Sequence, residues 1–294
     1  MILKWLTALA FSAFWAVAAD LPSTPYEREI ARWRIQQEAE LKADDSWFTV
    51  AGLHWLKEGD NRVGSDQASE IPLPKGSAPE RVATISLHGG QAAIHPAPAV
   101  PLTLNGKPAT ETALKIATDV LAINRLKFFL IKRGERLGVR LKDNDSAARK
   151  AFSGLKWYPV DPSWRVSAKF VPWDKPRTVH YDSVIGEKEV FENPGYVTFQ
   201  KAGRDYRLEP VLDENELFFV IRDQTSGKTT YGASRFLYAD LAKNGLVVLD
   251  FNKVVNSPCA YTPYATCPLP PPQNRMSVAV TAGEKKYQEG EPNP

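Results

Sequence analysis

From Trp47 towards the C-terminus a turn signal cuts the sequence every few residues. Gly59-Asp60, Gly64-Ser65-Asp66, Pro74-Lys75-Gly76, Gly89-Gly90 and Asn105-Gly106 follow one another with only short apolar runs between them. Glycine and asparagine supply the left-handed backbone of tight turns, and proline fixes φ while removing a ladder donor. Such spacing admits short strands and excludes long helices. The intervening runs, among them Ala83-Thr84-Ile85-Ser86-Leu87, are of strand length. Lys127-Phe128-Phe129-Leu130-Ile131-Lys132 and Leu137-Gly138-Val139-Arg140-Leu141 flank Arg133-Gly134-Glu135-Arg136, which reads as a hairpin. Further on, Tyr196-Val197-Thr198-Phe199 and Tyr206-Arg207-Leu208 surround Ala202-Gly203 in the same way, and 217–221, 246–249 and 276–280 are further strand candidates. The spacing predicts an all-β chain of two antiparallel domains: a sandwich over 46–145, a linker over 146–163, and a second sandwich or barrel over 164–287, with a disordered tail at 288–294.

Two segments precede the strands. Lys4 is followed by an apolar run over 5–19, broken only by Thr7 and Ser12 and closed by Ala16-Val17-Ala18-Ala19. That run is too short to cross a hydrocarbon layer of about 30 Å as a helix and ends in small residues, so 1–19 reads as a cleaved signal peptide. A lipoprotein signal is excluded because the first cysteine is Cys259. The expectation is an exported protein, periplasmic or extracellular, with no membrane span after cleavage. Next, over 20–45, comes a helix: Thr24-Pro25-Tyr26-Glu27 has the form of a capping box with proline at the first helical position. Tyr26, Ile30, Trp33 and Leu41 then fall near one face, predicting a helix packed on the next domain.

Charge excludes more than it identifies. The 37 basic residues against 34 acidic ones are too balanced to argue for nucleic acid, and the basic run Lys132, Arg133, Arg136, Arg140, Lys142 reads as a solvated strand face. Four histidines and two cysteines leave no metal site and no cofactor to expect. Thr225-Ser226-Gly227-Lys228-Thr229 has the end of a phosphate-binding loop, but Arg222 stands where that loop needs its first glycine; the segment reads as a hairpin turn.

Three stretches resemble a family. Trp47-Phe48-Thr49-Val50-Ala51-Gly52-Leu53-His54-Trp55, then Tyr231-Gly232-Ala233 with Arg235-Phe236-Leu237-Tyr238-Ala239, then Asp250-Phe251-Asn252 and 258–275 are similar to signatures of domain-of-unknown-function family 1684. The resemblance implies a shared fold and an uncharacterised activity. Within the first half, Arg62-Val63-Gly64-Ser65-Asp66, Glu70-Ile71-Pro72-Leu73-Pro74 and Leu104-Asn105-Gly106-Lys107-Pro108 resemble the framework of forkhead-associated domains, β-sandwiches whose loops read phosphothreonine. Ser65 stands where that family has arginine, and Pro79-Glu80-Arg81-Val82 replaces its Ser-Arg-x-His element. The implication is a forkhead-associated-like sandwich without the phosphopeptide function.

The chemistry-bearing candidates gather in the rear half. Arg222, Tyr231, Arg235, Asp250, Asn252, Tyr261, Tyr264 and Arg275 form a candidate ligand-binding set, on strand ends and on a loop stiffened by prolines after Asn256. The same residues also read as a balanced ion network under a rigid lid. Cys259 and Cys267 allow a disulfide, a free thiol or part of a metal site; in an exported chain the disulfide is favoured. Two functions follow. One is an exported protein that binds a small polar or anionic ligand, or a protein partner, through its C-terminal β domain. The other is a cell-envelope hydrolase with Asp250 as acid/base and Arg235 or Arg275 stabilising charge.

Overall fold

A computed structural model describes residues 24–287 of the chain. The signal peptide expected at 1–19 and the tail at 288–294 lie outside the described residues. Helix α1 (Pro25–Lys42) is closed by the predicted capping box: Thr24 accepts from the Glu27 amide while Glu27 reaches back to the Thr24 amide. Only Ile30 is fully buried on it, so the helix is held by a few specific contacts rather than by a broad apolar stripe. Trp33 meets Trp157 edge to face at 5.7 Å, and the Trp157 indole donates to Glu38 at 3.0 Å.

Residues 50–143 fold into two sheets around one core. The strands are β1 (Val50–Trp55), β2 (Gly59–Gly64), β3 (Ile71–Pro72), β4 (Ala83–His88), β5 (Gln91–Pro96), β6 (Thr103–Leu104), β7 (Lys107–Pro108), β8 (Thr112–Ala113), β9 (Leu121–Ile123), β10 (Leu126–Arg133) and β11 (Arg136–Asp143). One sheet has the order β1-β11-β10-β9-β6-β7, the other β3-β2-β4-β5-β8. Strand alternation sends Leu121, Phe128 and Val139 from the first sheet and Val63, Ile85 and Ile94 from the second into a shared core. Each side chain so buried contributes about 1.5–3 kcal/mol. Hairpin β10–β11 forms in full register, from Leu126 opposite Asp143 to Arg133 opposite Arg136. The short helix α2 (Ala147–Ala151) leads out of this half.

The second half comprises β12 (Arg165–Asp182), β13 (Lys188–Lys201), β14 (Arg204–Leu208), β15 (Val211–Asp213), β16 (Glu216–Ile221), β17 (Arg235–Asp240), β18 (Leu246–Asp250) and β19 (Val255–Asn256). Their sheet orders are β14-β13-β12-β18 and β15-β16-β17-β19. Ala168, Val197 and Leu249 from the first of these sheets pack on Phe219 and Leu237 from the second. Strand β16 is buried on both faces, because Phe218 and Val220 pack against Ala265 and Cys267 of the proline-rich segment. That segment is therefore a cover over a sheet face. Every ladder pair in this half is antiparallel.

Of three local expectations, one is met and two are not. The turn at 225–229 forms: Asp223 accepts from the Thr225 amide and hydroxyl, and Gly227 takes φ 80°. Strands β12 and β13 run far longer than the sequence pattern indicates, because a register shift between Pro172 and Arg177 carries the ladder past two prolines. The strand expected at 276–280 does not form. The carbonyls of Val280, Ala282 and Glu284 accept from the Arg235 guanidinium, where a strand would offer its carbonyls to a neighbouring backbone.

Candidate functional site

Strands β17 and β18 belong to different sheets. β17 pairs with β16 along its length but with β19 only at Arg235 and Phe236, and β18 pairs only with β12. Among the described residues, one edge of β17 over 237–240 therefore lacks a ladder partner, and so does one edge of β18. A groove of about 790 Å³ opens along them, walled by Glu29, Trp33 and Gln37 of α1. Tyr238, Leu241, Leu246 and Val248 line it with their side chains partly in solvent, at 40–50% exposure. Its charges are largely matched: Lys253 lies 2.8 Å from Glu29 and Lys243 3.3 Å from Asp240. The hydrogen bond from Lys253 holds the Glu29 carboxyl below the usual range. Arg165 stacks its guanidinium 5.4 Å from the Tyr26 ring.

Of the eight candidate residues, Asp250 alone lines this groove. Its carboxylate accepts from the Tyr26 hydroxyl at 2.7 Å and from the Asn252 amide at 3.1 Å. Asn252 completes the knot: its side-chain nitrogen donates to Tyr26 Oη and to the Asp161 carbonyl, while its oxygen accepts from the Asp161 amide. Burial, reinforced by the hydrogen bond to Asp250, pushes the Tyr26 hydroxyl well above its ordinary pKa. Asp250 thus ties α1 to β18. Nearby, Arg34 lies 5.0 Å over Trp157, and burial lowers it to about 10.

The other candidates separate into distinct settings. Arg235 is fully buried and paired with Asp223 at 2.9 Å, so it faces no ligand. Tyr261 donates to both oxygens of Glu284 at 2.7 and 2.8 Å, and Asn256 holds the same carboxylate through its amide and side chain. Burial raises Glu284 to about 7. Arg222 and Arg275 join through a parallel backbone bridge with their side chains exposed, and Tyr264 is exposed at 37%. Tyr231 is partly buried, and its amide donates to Asn256. The charge stabilisers that a hydrolase would need, Arg235 and Arg275, are not brought to Asp250.

Cys259 and Cys267 come together as free thiols, with each backbone N–H aimed at the other's sulfur at 3.3 and 3.4 Å. No bond joins them. The basic run read as a solvated face divides: Arg133 bonds Thr266 at 2.8 Å, and Arg140 is buried. Sequence reasoning did not single out Tyr26, Glu284 or Arg140 for these roles. Glu284 had one local signal, the preceding Gly283 at φ 76°, where a Cβ would fall 2.4 Å from the Val254 carbonyl oxygen. Among the described residues no cluster of histidine, cysteine and carboxylates is suited to a metal, and no helix is long and apolar enough to cross a membrane.

Two packed β halves and a capped helix define an all-β protein with one helix ahead of its strands. Over residues 150–285 the chain matches the family described as protein of unknown function DUF1684. Among solved structures, it is 31% identical to an uncharacterised protein of Haloarcula marismortui determined by solution NMR; the match covers 47% of this chain and 78% of that one, with a TM-score of 0.40. An FHA domain studied for phosphothreonine-dependent interactions is 20% identical over 31% of this chain and 92% of its own, with a TM-score of 0.24. The FhaA FHA domain, solved with the intracellular domain of Rv3910, is 20% identical over 31% of this chain and 97% of its own, also at 0.24. No curated protein matches the chain.

Proposed function

We propose that this is an exported, non-catalytic binding protein that takes an extended segment of a protein partner into the groove between β17 and β18. The observation that carries the reading is the pair of strand edges without ladder partners along one groove. Such edges offer a row of N–H and C=O groups that an added strand satisfies, while alternate side chains enter flanking pockets. Tyr238, Leu246 and Val248 supply apolar contact for those side chains. A small anionic ligand fits less well, because Glu29, Glu216, Asp240 and Asp250 line the groove and its lysines already face carboxylates. Hydrolysis at Asp250 fits less well again, since one carboxylate oxygen holds Tyr26 and Asn252 and no cation named for the reaction reaches it. Export rests on the apolar run over 5–19 and its small-residue end.

The test is selection of peptides from a random display library on purified protein, followed by titration against the Tyr238→Glu/Val248→Glu variant. Both side chains are partly exposed, so the fold is expected to survive. Groove binding predicts at least about tenfold weaker affinity, the loss of roughly 1.4 kcal/mol. Equal affinity for both proteins would place the ligand elsewhere. Sequencing the N-terminus of protein recovered from the cell envelope tests export: a start near residue 20 supports it, and an intact Met1 contradicts it.

A further inference from the structure

Cys259 sits in a short 3-10 turn, Pro258–Ala260, and Cys267 lies eight residues on, where the chain is pinned to the β12–β13 loop by the Val184 amide bonding the Cys267 carbonyl at 3.0 Å. The reciprocal amide contacts give each sulfur a hydrogen-bond donor, the arrangement that stabilises a thiolate. Access is unequal. Cys267 is 6% exposed, whereas Cys259 is open in part to solvent.

A buried cation stands beside the pair. Arg140, on β11 of the other half of the molecule, is 6% exposed and stacks 5.2 Å over Trp47. Its Nε and Nη2, the two donors of one guanidinium edge, have no hydrogen-bond partner among the described residues. Its charge interacts with both sulfurs and with Glu189. Glu189 is itself 3.6 Å from Arg133, and burial pushes its carboxyl up towards the neutral form. With a neutral disulfide in place, Glu189 would be the one acid left to serve both Arg133 and Arg140, and an under-compensated buried charge is destabilising. A thiolate at Cys259 supplies the counter-charge. Consistently, the hydrogen bond from Cys267, with a further contribution from Arg140, holds the Cys259 thiol below its ordinary range.

We propose that Cys259 and Cys267 are a redox-active pair, with Cys259 as the attacking thiolate, Arg140 as its counter-ion and Cys267 as the resolving thiol. The oxidant is a disulfide, R–S–S–R, from a small molecule or another protein. Cys259 Sγ, its proton lost to solvent, attacks one sulfur and forms a mixed disulfide. The first RS⁻ leaves and takes up a proton. Cys267 then loses its proton and attacks Cys259 Sγ, forming the internal disulfide and expelling the second RS⁻, which is protonated in turn. Two protein thiols are oxidised and one external disulfide is reduced to two thiols; a dithiol runs the exchange backwards. Nothing in this step depends on the groove.

The test uses the purified protein in glutathione redox buffers, with acid quenching, alkylation and mass spectrometry. Wild type is expected to form one internal disulfide that dithiothreitol reopens under native conditions. Cys267→Ser should trap glutathione on Cys259, and Cys259→Ser should trap little on Cys267. Arg140→Gln should slow alkylation of Cys259 by iodoacetamide at neutral pH by about tenfold, the effect of a thiol pKa raised by about one unit. Circular dichroism establishes that each variant is folded, and the Cys267→Ser trap leaves Arg140 in place. No adduct on Cys259 in Cys267→Ser, preferential reaction at Cys267, or a disulfide inert to native dithiothreitol would each overturn the proposal.

Discussion

Tyr26 and Asp250 lie 224 positions apart and share a 2.7 Å hydrogen bond that joins the first turn of α1 to the end of β18. The carboxylate is buried at 7% exposure, and Asn252 braces both partners. This knot fixes one wall of the groove relative to its floor. A hydrogen bond to a charged group contributes about 1.5–3 kcal/mol. Tyr26→Phe is therefore expected to lower stability by about that amount in urea denaturation, with faster amide exchange along α1. Unchanged stability and exchange would show that the helix is held by its other contacts, such as Trp33 on Trp157 and Glu38 on the Trp157 indole.

Glu284 sets a pH dependence. Burial raises its folded pKa to about 7, above the ordinary carboxylate value of about 4.3 in an unfolded chain. The stability it contributes is complete below the unfolded value and is lost as pH rises through the folded one. Between pH of roughly 4.5 and 7 the wild type should lose stability on this account, while Glu284→Gln, which cannot ionise, should show a flatter profile in thermal melts. Parallel profiles for the two proteins would remove Glu284 as the source.

How much of this was readable beforehand divides by distance along the chain. The capping box at Thr24, hairpin β10–β11 and the turn at Gly227 depend on neighbours a few residues away, and local periodicity carries them. The all-β class follows from the same turn signals. The partners of Arg235, Tyr261 and Asp250 do not, since Ala282, Glu284 and Tyr26 are tied to no local pattern that names them. Residue types suited to a ligand site were legible; that three of them serve separate buried networks depends on how the sheets pack. Arg140 looks like one more surface cation in a basic run, but the folded chain buries it with its guanidinium over Trp47.

The Arg235–Asp223 pair is fully buried, and breaking such a pair costs about 3–5 kcal/mol. Asp223→Asn should reach that range in chemical denaturation. The double variant Asp223→Leu/Arg235→Met should not recover stability, because the guanidinium also holds the carbonyls of Val280, Ala282 and Glu284. Recovery to wild-type stability would mean that those carbonyl contacts contribute little.

Gly64 closes β2 where the chain passes Glu80. A Cβ there would fall 1.8 Å from the Glu80 carbonyl oxygen, an approach only backbone movement relieves. Gly64→Ala is expected to destabilise the front half by about 1–3 kcal/mol or more, seen as lost near-ultraviolet signal at lower denaturant. A neutral outcome would mean that the β2–Glu80 contact opens freely.

The groove itself is tested most directly by hydrogen–deuterium exchange on the protein with and without the tightest library-selected peptide. Strand addition between β17 and β18 predicts new protection of backbone amides within 237–241 and 246–250, with little change in the front half. Failure to select any peptide, or protection confined to residues outside those two strands, would contradict it.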